Sequence, residues 1–266
     1  MPERLGPYEL GRVHVGDCLE AMKQLPDGCV EICVTSPPYN QLGSRIPTAP
    51  TGMHKGNGFL AKVSANGYAD DMDELDYQKW QSQLVHELRR VCKSTVWYNH
   101  KLRYRDGLAI SPMRWLGHLP LWAEIVWDRG GGMALNANRF VPSDERIYGI
   151  DAPEWWDASF NTKMTVWRIA PFNASGTDHP CPYPLEIPKR LIGASCSPGG
   201  IVVDPFAGSG TTGVACAQMG RKFLGFEIDP HWAEVANQRM EAAAKGLTLA
   251  EHRAGQGQLF GDADAE

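Results

Sequence analysis

The segment Ser36-Pro37-Pro38-Tyr39 combines residue types that can hold a planar ligand bearing an amino group. The apolar run 30–34 before it is typical of a buried strand, and the two prolines end that strand. Because proline fixes φ and lacks an N–H, we expect the Ser36 and Pro37 carbonyls to leave the sheet without a ladder partner. Fixed acceptors can hold an amino group, and the Tyr39 ring can stack on a base. The alternative is a purely structural turn at the end of the strand.

A second motif occupies residues 204–212, between a predicted strand, 201–204, and a predicted helix, 211–219. Its glycines let the backbone approach a ligand closely, and the helix N-terminus adds N–H donors. Such crevices at the carboxyl ends of parallel strands bind nucleotide-like cofactors. Glu227, at the end of the next predicted strand, could accept from both ribose hydroxyls. The motif alone does not distinguish a dinucleotide from S-adenosylmethionine.

The position of this glycine-rich motif argues against a dinucleotide. A dinucleotide fold needs two βαβαβ halves that the glycine loop usually leads, whereas only 56 residues follow Gly210. The upstream part of the chain must therefore supply the remaining strands. An NAD(P) oxidoreductase stays as a weaker alternative.

The order of elements predicts an α/β fold built on a mostly parallel sheet with helices on both faces. A strand within 8–15, a helix at 18–25 and the strand at 30–34 follow one another closely, which is typical of parallel sheets. Further elements are predicted where apolar spacing returns: helices at 77–92, 185–194 and 230–245, and strands at 94–98, 123–127 and 223–228.

Length and composition favour one domain. A chain of 266 residues with 43% hydrophobic content can bury one large core. We expect this domain to span 1–245, with a Gly-, Pro- and Ser-rich loop insertion at 41–69 and a polar, flexible tail at 246–266.

The charge pattern limits how nucleic acid could be bound. The formal net charge is −5, so a polyanion would have to be held by a local basic patch. The loop insertion carries Arg45, Lys55 and Lys62 and could close over such a ligand; a plain insertion is the alternative. A second basic cluster, which could instead be a solvated helix end, comprises Arg89, Arg90, Lys93, Lys101, Arg103 and Arg105.

The remaining composition indicates a cytoplasmic protein without a metal or a membrane span. The seven cysteines show no paired spacing, as expected for reduced thiols. His179 and Cys181 lack the second Cys/His pair that would complete a zinc site. We find neither a signal peptide nor an apolar stretch of 18 residues.

In these motifs and their order, the chain resembles the β class of amino-group DNA methyltransferases. In that family the catalytic Ser/Asp/Asn-Pro-Pro-Tyr segment comes before a Phe-x-Gly-x-Gly cofactor loop, matched here by Phe206, Gly208 and Gly210. The resemblance covers nearly the whole chain. It implies a Rossmann-like methyltransferase fold with circularly permuted motif order, S-adenosylmethionine as cofactor, and DNA methylation of the kind found in restriction–modification systems.

The resemblance also implies roles for individual residues. The catalytic segment is Ser36, Pro37, Pro38 and Tyr39. The predicted cofactor-binding residues are Asp17, Cys18, His179, Asp204, Phe206, Gly208, Ser209, Gly210, Thr211 and Glu227. The predicted DNA-binding residues are Arg45, Lys55, Lys62, Arg103, Arg105 and Arg129, with a short target-recognition region at about 129–178.

The implied reaction is methyl transfer to the exocyclic amino group of a base flipped out of double-stranded DNA. The amine would donate to the Ser36 side chain and the Pro37 carbonyl while the base stacks on Tyr39. Serine in the first position slightly favours N4 of cytosine over N6 of adenine within the family. Methylation of RNA and a DNA-binding module without turnover remain alternatives. Many family members pair, so the resemblance allows a homodimer.

Overall fold

The computed structural model describes residues 3–40, 72–105, 107–132, 140–160, 164–170 and 184–261. Its strands are β1 (Arg4–Leu5), β2 (Tyr8–Glu9), β3 (Arg12–Val15), β4 (Ile32–Thr35), β5 (Val96–His100), β6 (Arg103–Arg105), β7 (Leu108–Ile110), β8 (Leu121–Asp128), β9 (Asp144–Ile150), β10 (Val166–Arg168), β11 (Ile201–Asp204) and β12 (Lys222–Glu227). Its helices are α1 (Cys18–Met22), α2 (Glu74–Val91), α3 (Met113–Leu116), α4 (Glu186–Ser195), α5 (Thr211–Met219), α6 (Pro230–Ala244) and α7 (Leu249–Gly261). His179, Cys181 and the loop cations Arg45, Lys55 and Lys62 lie outside the described residues.

Eight strands form one central sheet in the order β10-β8-β9-β5-β4-β11-β12-β3. Neighbouring strands are parallel throughout except around β9, which runs antiparallel to both β5 and β8. The predicted α/β fold with a mostly parallel sheet is therefore confirmed. The antiparallel direction of β9 was not predicted.

Helices cover both faces of the sheet because side chains alternate along each buried strand. On β4, Cys33 packs in one core with α1, α2 and α3, whereas Ile32 and Val34 pack in the other core with α4, α5 and α6. Fully burying one such aliphatic side chain stabilises the fold by about 1.5–3 kcal/mol. None of the helices in the described ranges is long and apolar enough to cross a membrane.

Helix α2 begins at Glu74, three residues before the predicted start. Asp73 caps it by accepting a hydrogen bond from the Leu75 amide at 2.9 Å, and Glu74 in the first turn favours the N-terminal end of the helix dipole. Tyr77, Leu84 and Leu88 then face the core at helical spacing. The helix thereby packs against the face of the sheet on which Cys33 of β4 lies.

Strands β4 and β11 are parallel neighbours at the centre of the sheet, with Ile32 opposite Val202 and Cys33 opposite Val203. The first described helix after β4, α2, packs on one face, and the helix after β11, α5, packs on the other. Where adjacent parallel strands connect to opposite faces, a crevice opens at their carboxyl ends, and α/β sheets bind ligands there. Both sequence motifs follow these two strand ends.

The structure corrects part of the prediction of a flexible tail at 246–266, because residues Leu249–Gly261 form a helix. Helix α7 begins after Thr248, whose Oγ1 accepts from the Glu251 amide at 3.2 Å, while the Glu251 carboxylate accepts from the Thr248 amide at 2.7 Å. This reciprocal pair is a capping box, which the Thr-x-x-Glu spacing encodes. His252 is only 4% exposed, so the helix contributes a buried side chain to the domain.

We predict that Thr248→Ala lowers the free energy of unfolding by about 1 kcal/mol, because it leaves an N-terminal amide of α7 without its acceptor. Urea unfolding monitored by circular dichroism measures this change. Thr248→Ser keeps the hydroxyl and is the matched control. Equal stability of the alanine and serine variants would contradict the capping role.

Candidate active site

A buried carboxylate joins the two motifs. Thr35, the last residue of β4, donates from Oγ1 to Asp204 Oδ1 at 2.8 Å. Asp204, the last residue of β11, also accepts from the Phe206 amide at 3.1 Å and from Thr212 Oγ1 at 2.7 Å. It is only 1% exposed. Direct contact with a cofactor was predicted for Asp204, but the structure uses both of its oxygens to fix the glycine-rich loop beside β4.

Burial of Asp204 has an electrostatic consequence. Loss of solvation raises its pKa to about 6, although the hydrogen bonds from Thr212, Thr35 and the Phe206 amide act in the opposite direction. A charged Asp204 therefore lowers the stability of the folded state relative to a protonated one. This penalty accompanies the geometry that brings the two strand ends together.

Glu227 lies beside the glycine-rich loop at the end of β12. Its Oε2 accepts from the Gly208 amide at 2.9 Å, its Oε1 from the Asp229 amide at 3.0 Å, and its backbone carbonyl from the Gly16 amide at 2.9 Å. Burial raises the pKa of Glu227. The space beside Gly16 is open, since a Cβ there would meet no atom within 4 Å. Glu227 thus joins the glycine-rich loop to the turn at Gly16, and each of its carboxylate oxygens keeps a second lone pair, as acceptance from ribose hydroxyls requires.

Helix α6 determines the shape of the glycine-rich loop. Gly210 has a φ of 80°, and a Cβ on it would approach the Ala236 Cβ to 2.7 Å, so only glycine fits. Arg239 donates to the Ser209 carbonyl and, at 3.0 Å, to Ser209 Oγ. Burial lowers the pKa of Arg239 to about 10. Arg239 was not predicted; its place on the buried face of α6, three residues after Ala236, was the available signal.

The other predicted cofactor residues differ in how they are placed. Asp17 is exposed and caps α1 by accepting from the Glu20 amide at 3.0 Å. The side chain of Cys18 is 5% exposed within a core cluster, so it is not available to a ligand. Thr211 begins α5 and is buried, and Phe206 packs edge-on against Trp80 at 5.7 Å. Asp17 thus holds the start of α1, and Phe206 attaches the glycine-rich loop to α2.

The Pro-Pro turn is held by helix α2. The Pro38 carbonyl accepts from Tyr77 Oη at 2.7 Å and from Gln81 Nε2 at 3.3 Å. The expectation that the Ser36 and Pro37 carbonyls leave the sheet without a ladder partner stays a prediction.

Side chains from three strand ends converge on the catalytic segment. Ser36 Oγ lies 2.8 Å from Tyr39 Oη, which donates to Glu145 Oε2 at 2.9 Å. Asn99 Nδ2 lies 2.9 Å from Glu145 Oε2 and 2.8 Å from Tyr39 Oη, and Arg129 Nη1 lies 3.1 Å from Glu145 Oε1. We call these five residues the hydroxyl network. Asn99 on β5 and Glu145 on β9 were not predicted, because β9 itself was not expected beside β5.

The Tyr39 ring packs at an interplanar angle of 40° against His100, with ring centroids 4.6 Å apart. Burial lowers the pKa of His100 to about 3, so this imidazole is neutral. Lys101 Nζ lies 5.4 Å from the Tyr39 ring centroid. The ring is therefore fixed in orientation by its neighbours, and its hydroxyl by the hydroxyl network.

Several cations predicted to contact DNA have intramolecular partners. Arg103 is 6% exposed and donates twice to Glu74, at 2.8 and 2.9 Å, so the prediction that it contacts DNA is corrected. Arg105 lies 3.7 Å from the same carboxylate. Arg129 pairs with the buried Glu145. A charge that is paired within the fold contributes little to phosphate binding.

Within the described ranges, potential metal ligands and cysteines form neither a metal site nor a disulfide bond. No group of three or more His, Cys, Asp or Glu side chains there could hold a metal ion. The cysteines in those ranges are unpaired, and burial raises the pKa of thiols such as Cys33 and Cys216. These thiols act as core side chains.

Comparisons with known proteins agree with this geometry. The family model N6_N4_Mtase, described as DNA methylase, matches residues 30–238. The Type II methyltransferase M.Cfr9I of Citrobacter freundii is 26% identical over 293 residues, which cover 90% of this chain and 91% of that protein. The solved structure of PvuII DNA methyltransferase (cytosine-N4-specific) has the same fold, with a TM-score of 0.68, 16% identity and 94% coverage of both chains. The Thermus thermophilus protein TTHA0409, solved with S-adenosyl-L-methionine, gives a TM-score of 0.61 at 22% identity and covers 89% of this chain and 96% of its own.

We predict that Asp204→Asn changes the pH dependence of stability. Because the pKa of Asp204 rises from 3.8 to about 6 on folding, the stabilisation by its proton is complete below 3.8 and is lost as the pH rises through 6. Between about pH 4 and about pH 7, the wild type should lose on the order of 3 kcal/mol relative to Asp204→Asn. Urea unfolding across this pH range measures the difference.

The exposed Asp76 supplies a matched control for this experiment, since its side chain is 64% exposed. Asp76→Asn should leave the pH profile of the wild type unchanged. A constant stability difference between wild type and Asp204→Asn at all pH values would show that Asp204 does not titrate in this way.

Proposed function

The chain belongs to the N6_N4_Mtase family of DNA methylases, and on this premise we propose that it methylates the exocyclic amino group of cytosine (N4) or adenine (N6) in duplex DNA. The resemblance inferred from the two motifs is thereby confirmed at the level of the family. This methyltransferase family uses S-adenosylmethionine, as predicted. The observation that carries the proposal is the Thr35–Asp204 hydrogen bond of 2.8 Å, which puts the two motifs at one crevice.

We assign the glycine-rich side of the crevice to the cofactor. A ribose fits beside the open position at Gly16, the backbone of Gly208 and the carboxylate acceptor of Glu227. The shape of the loop itself is held by Asp204, Ser209 and Gly210. When bound, the cofactor supplies an electrophilic methyl group. The chain's own task on this side is to fix the orientation of that methyl group toward β4.

The catalytic segment is assigned to the target base. An exocyclic amine is a poor nucleophile because its lone pair is delocalised into the ring. Hydrogen bonds from its two hydrogens to Ser36 Oγ and to the Pro37 carbonyl favour a pyramidal nitrogen with an available lone pair. The half-buried Tyr39 ring supplies a surface against which a flipped base can lie. Catalysis in this proposal consists of positioning and polarisation.

We further propose that segments outside this crevice bind the DNA. The loop 41–69, with Arg45, Lys55 and Lys62, follows the catalytic segment directly, and the region 129–178 follows β8. The strands that precede them, β4 and β8, run in the same direction and have their carboxyl ends at the same edge of the sheet as the crevice. We assign phosphate contacts to the loop and reading of the sequence to the region 129–178, within a single catalytic domain spanning 1–245.

We predict that DNA treated with the protein and S-adenosylmethionine contains N4-methylcytosine, the product that Ser36 favours. Enzymatic digestion of the DNA and mass spectrometry of the nucleosides identify the product. N6-methyladenine would keep the mechanism and change the base, whereas 5-methylcytosine alone would overturn the mechanism. Parallel transfer of labelled methyl to duplex DNA, single strands and RNA tests the nucleic acid, and methylation-sensitive sequencing gives the recognition sequence.

We predict that Tyr39→Ala weakens binding of target DNA by about 1 to 3 kcal/mol through loss of base stacking. Its affinity for S-adenosylmethionine should stay close to that of the wild type, because Tyr39 lies on the β4 side of the crevice. Isothermal titration calorimetry with each ligand measures the two affinities. An equal loss of both would contradict the assignment of the two sides to different ligands.

A further inference from the structure

The hydroxyl network shows a consistent direction of hydrogen bonding at the catalytic segment. We propose that Glu145 is a positioning residue that makes Ser36 present a lone pair, and not a hydrogen, to the target amino group. Glu145 itself contacts neither base nor cofactor in this proposal and acts through Tyr39. The inference rests on the proposed function, since it specifies how the same site chooses its substrate group.

The direction follows from the number of hydrogens available. A carboxylate only accepts, so the single hydroxyl hydrogen of Tyr39 points to Glu145 Oε2, 2.9 Å away. Tyr39 Oη must then act as an acceptor toward Ser36 Oγ at 2.8 Å. The Ser36 hydrogen is therefore directed into the network, and lone pairs of Ser36 Oγ remain for the crevice.

The orientation of the Asn99 amide agrees with a Glu145 carboxylate that sets the direction of the surrounding hydrogen bonds. Its Nδ2 faces Glu145 and Tyr39, at 2.9 and 2.8 Å, and lies 3.3 Å from Ser36 Oγ. Asn99 is 4% exposed, and within the ranges that the structure describes its Oδ1 has no hydrogen-bond partner. The opposite orientation would place the amide oxygen against the carboxylate. The contact with Ser36 uses at most one of the two Ser36 lone pairs.

Both oxygens of Glu145 accept from donors, which makes an amide a poor replacement. Oε1 faces Arg129 at 3.1 Å, and Oε2 faces Tyr39 and Asn99. The Glu145 side chain is 8% exposed, so water cannot easily take over either position. A glutamine at 145 must set its NH₂ group against Arg129 or against Tyr39 and Asn99. Either choice removes the charge that directs the hydrogens.

The consequence is discrimination between amino and carbonyl groups. Uracil has a carbonyl oxygen where cytosine has an amino group, and hypoxanthine has one where adenine does. A Ser36 that offers only lone pairs attracts the amino group and repels the carbonyl. In the wild type, Glu145 thus favours bases that can be methylated over their deaminated counterparts.

The test compares Glu145→Gln and Tyr39→Phe with wild type. Tyr39→Phe keeps the ring but removes the hydroxyl that transmits the direction. Duplexes with the recognition sequence carry either the natural target base or its carbonyl counterpart, and the ratio of their dissociation constants is measured with S-adenosylmethionine present. Single-turnover methylation of the natural duplex and S-adenosylmethionine affinity are measured in parallel. Glu124→Gln on β8 is the matched control, because its side chain is 55% exposed.

We expect wild type and Glu124→Gln to prefer the amino-bearing duplex. In Glu145→Gln and Tyr39→Phe, that preference should fall about 10-fold or more, and the methylation rate about 10- to 100-fold, with S-adenosylmethionine affinity unchanged. A merely structural role would weaken both duplexes equally and leave the ratio intact, which would overturn the inference. If Glu145→Gln fails to fold by circular dichroism, the ratio in Tyr39→Phe decides the outcome.

The same data separate this inference from the proposed function. A wild type that methylates DNA, together with variants that keep its preference, would refute the role of Glu145 alone. A wild type that transfers no methyl to DNA would refute the proposed function, and the inference would fall with it.

Discussion

The hydrogen bond between Thr35 and Asp204 is the constraint on which the site depends. It joins the carboxyl ends of two parallel neighbours, β4 and β11, whose following helices lie on opposite faces of the sheet. A buried carboxylate is costly to desolvate, and the raised pKa of Asp204 expresses that cost. In return, one residue fixes both the start of the catalytic segment and the start of the glycine-rich loop.

Residues around the crevice divide into those that face a ligand and those that hold other residues in place. Tyr77 and Gln81 fix the Pro38 carbonyl from one layer of helices, and Arg239 fixes Ser209 from the other. Fixing the surroundings of a site leaves fewer degrees of freedom to be lost when ligands bind. The hydroxyl network extends the same principle to the positions of hydrogens.

The sequence could predict those strands and helices that are marked by apolar spacing and turn residues within their own few positions. The strand Ile201–Asp204 and the helix Thr211–Met219 begin and end as predicted, since an apolar run, glycines and helical spacing mark them within a few residues. Contacts between distant segments left no local signal. Glu145 reaches Tyr39 because β9 reverses direction beside β5, and Arg103 pairs with Glu74 of α2. A cluster of cations in sequence therefore suggested a DNA surface where the fold makes an internal ion pair.

The attachment of the crevice walls to opposite helical layers limits how the crevice can deform. Among the described residues, the two walls join at the β4–β11 pair, so a hinge between the helical layers does not widen the gap by itself. Widening would shear two central strands and break ladder hydrogen bonds, each contributing about 0.5–1.5 kcal/mol net. The width of the crevice is thus a property of the sheet itself, which favours ligands that already match the gap between its two walls.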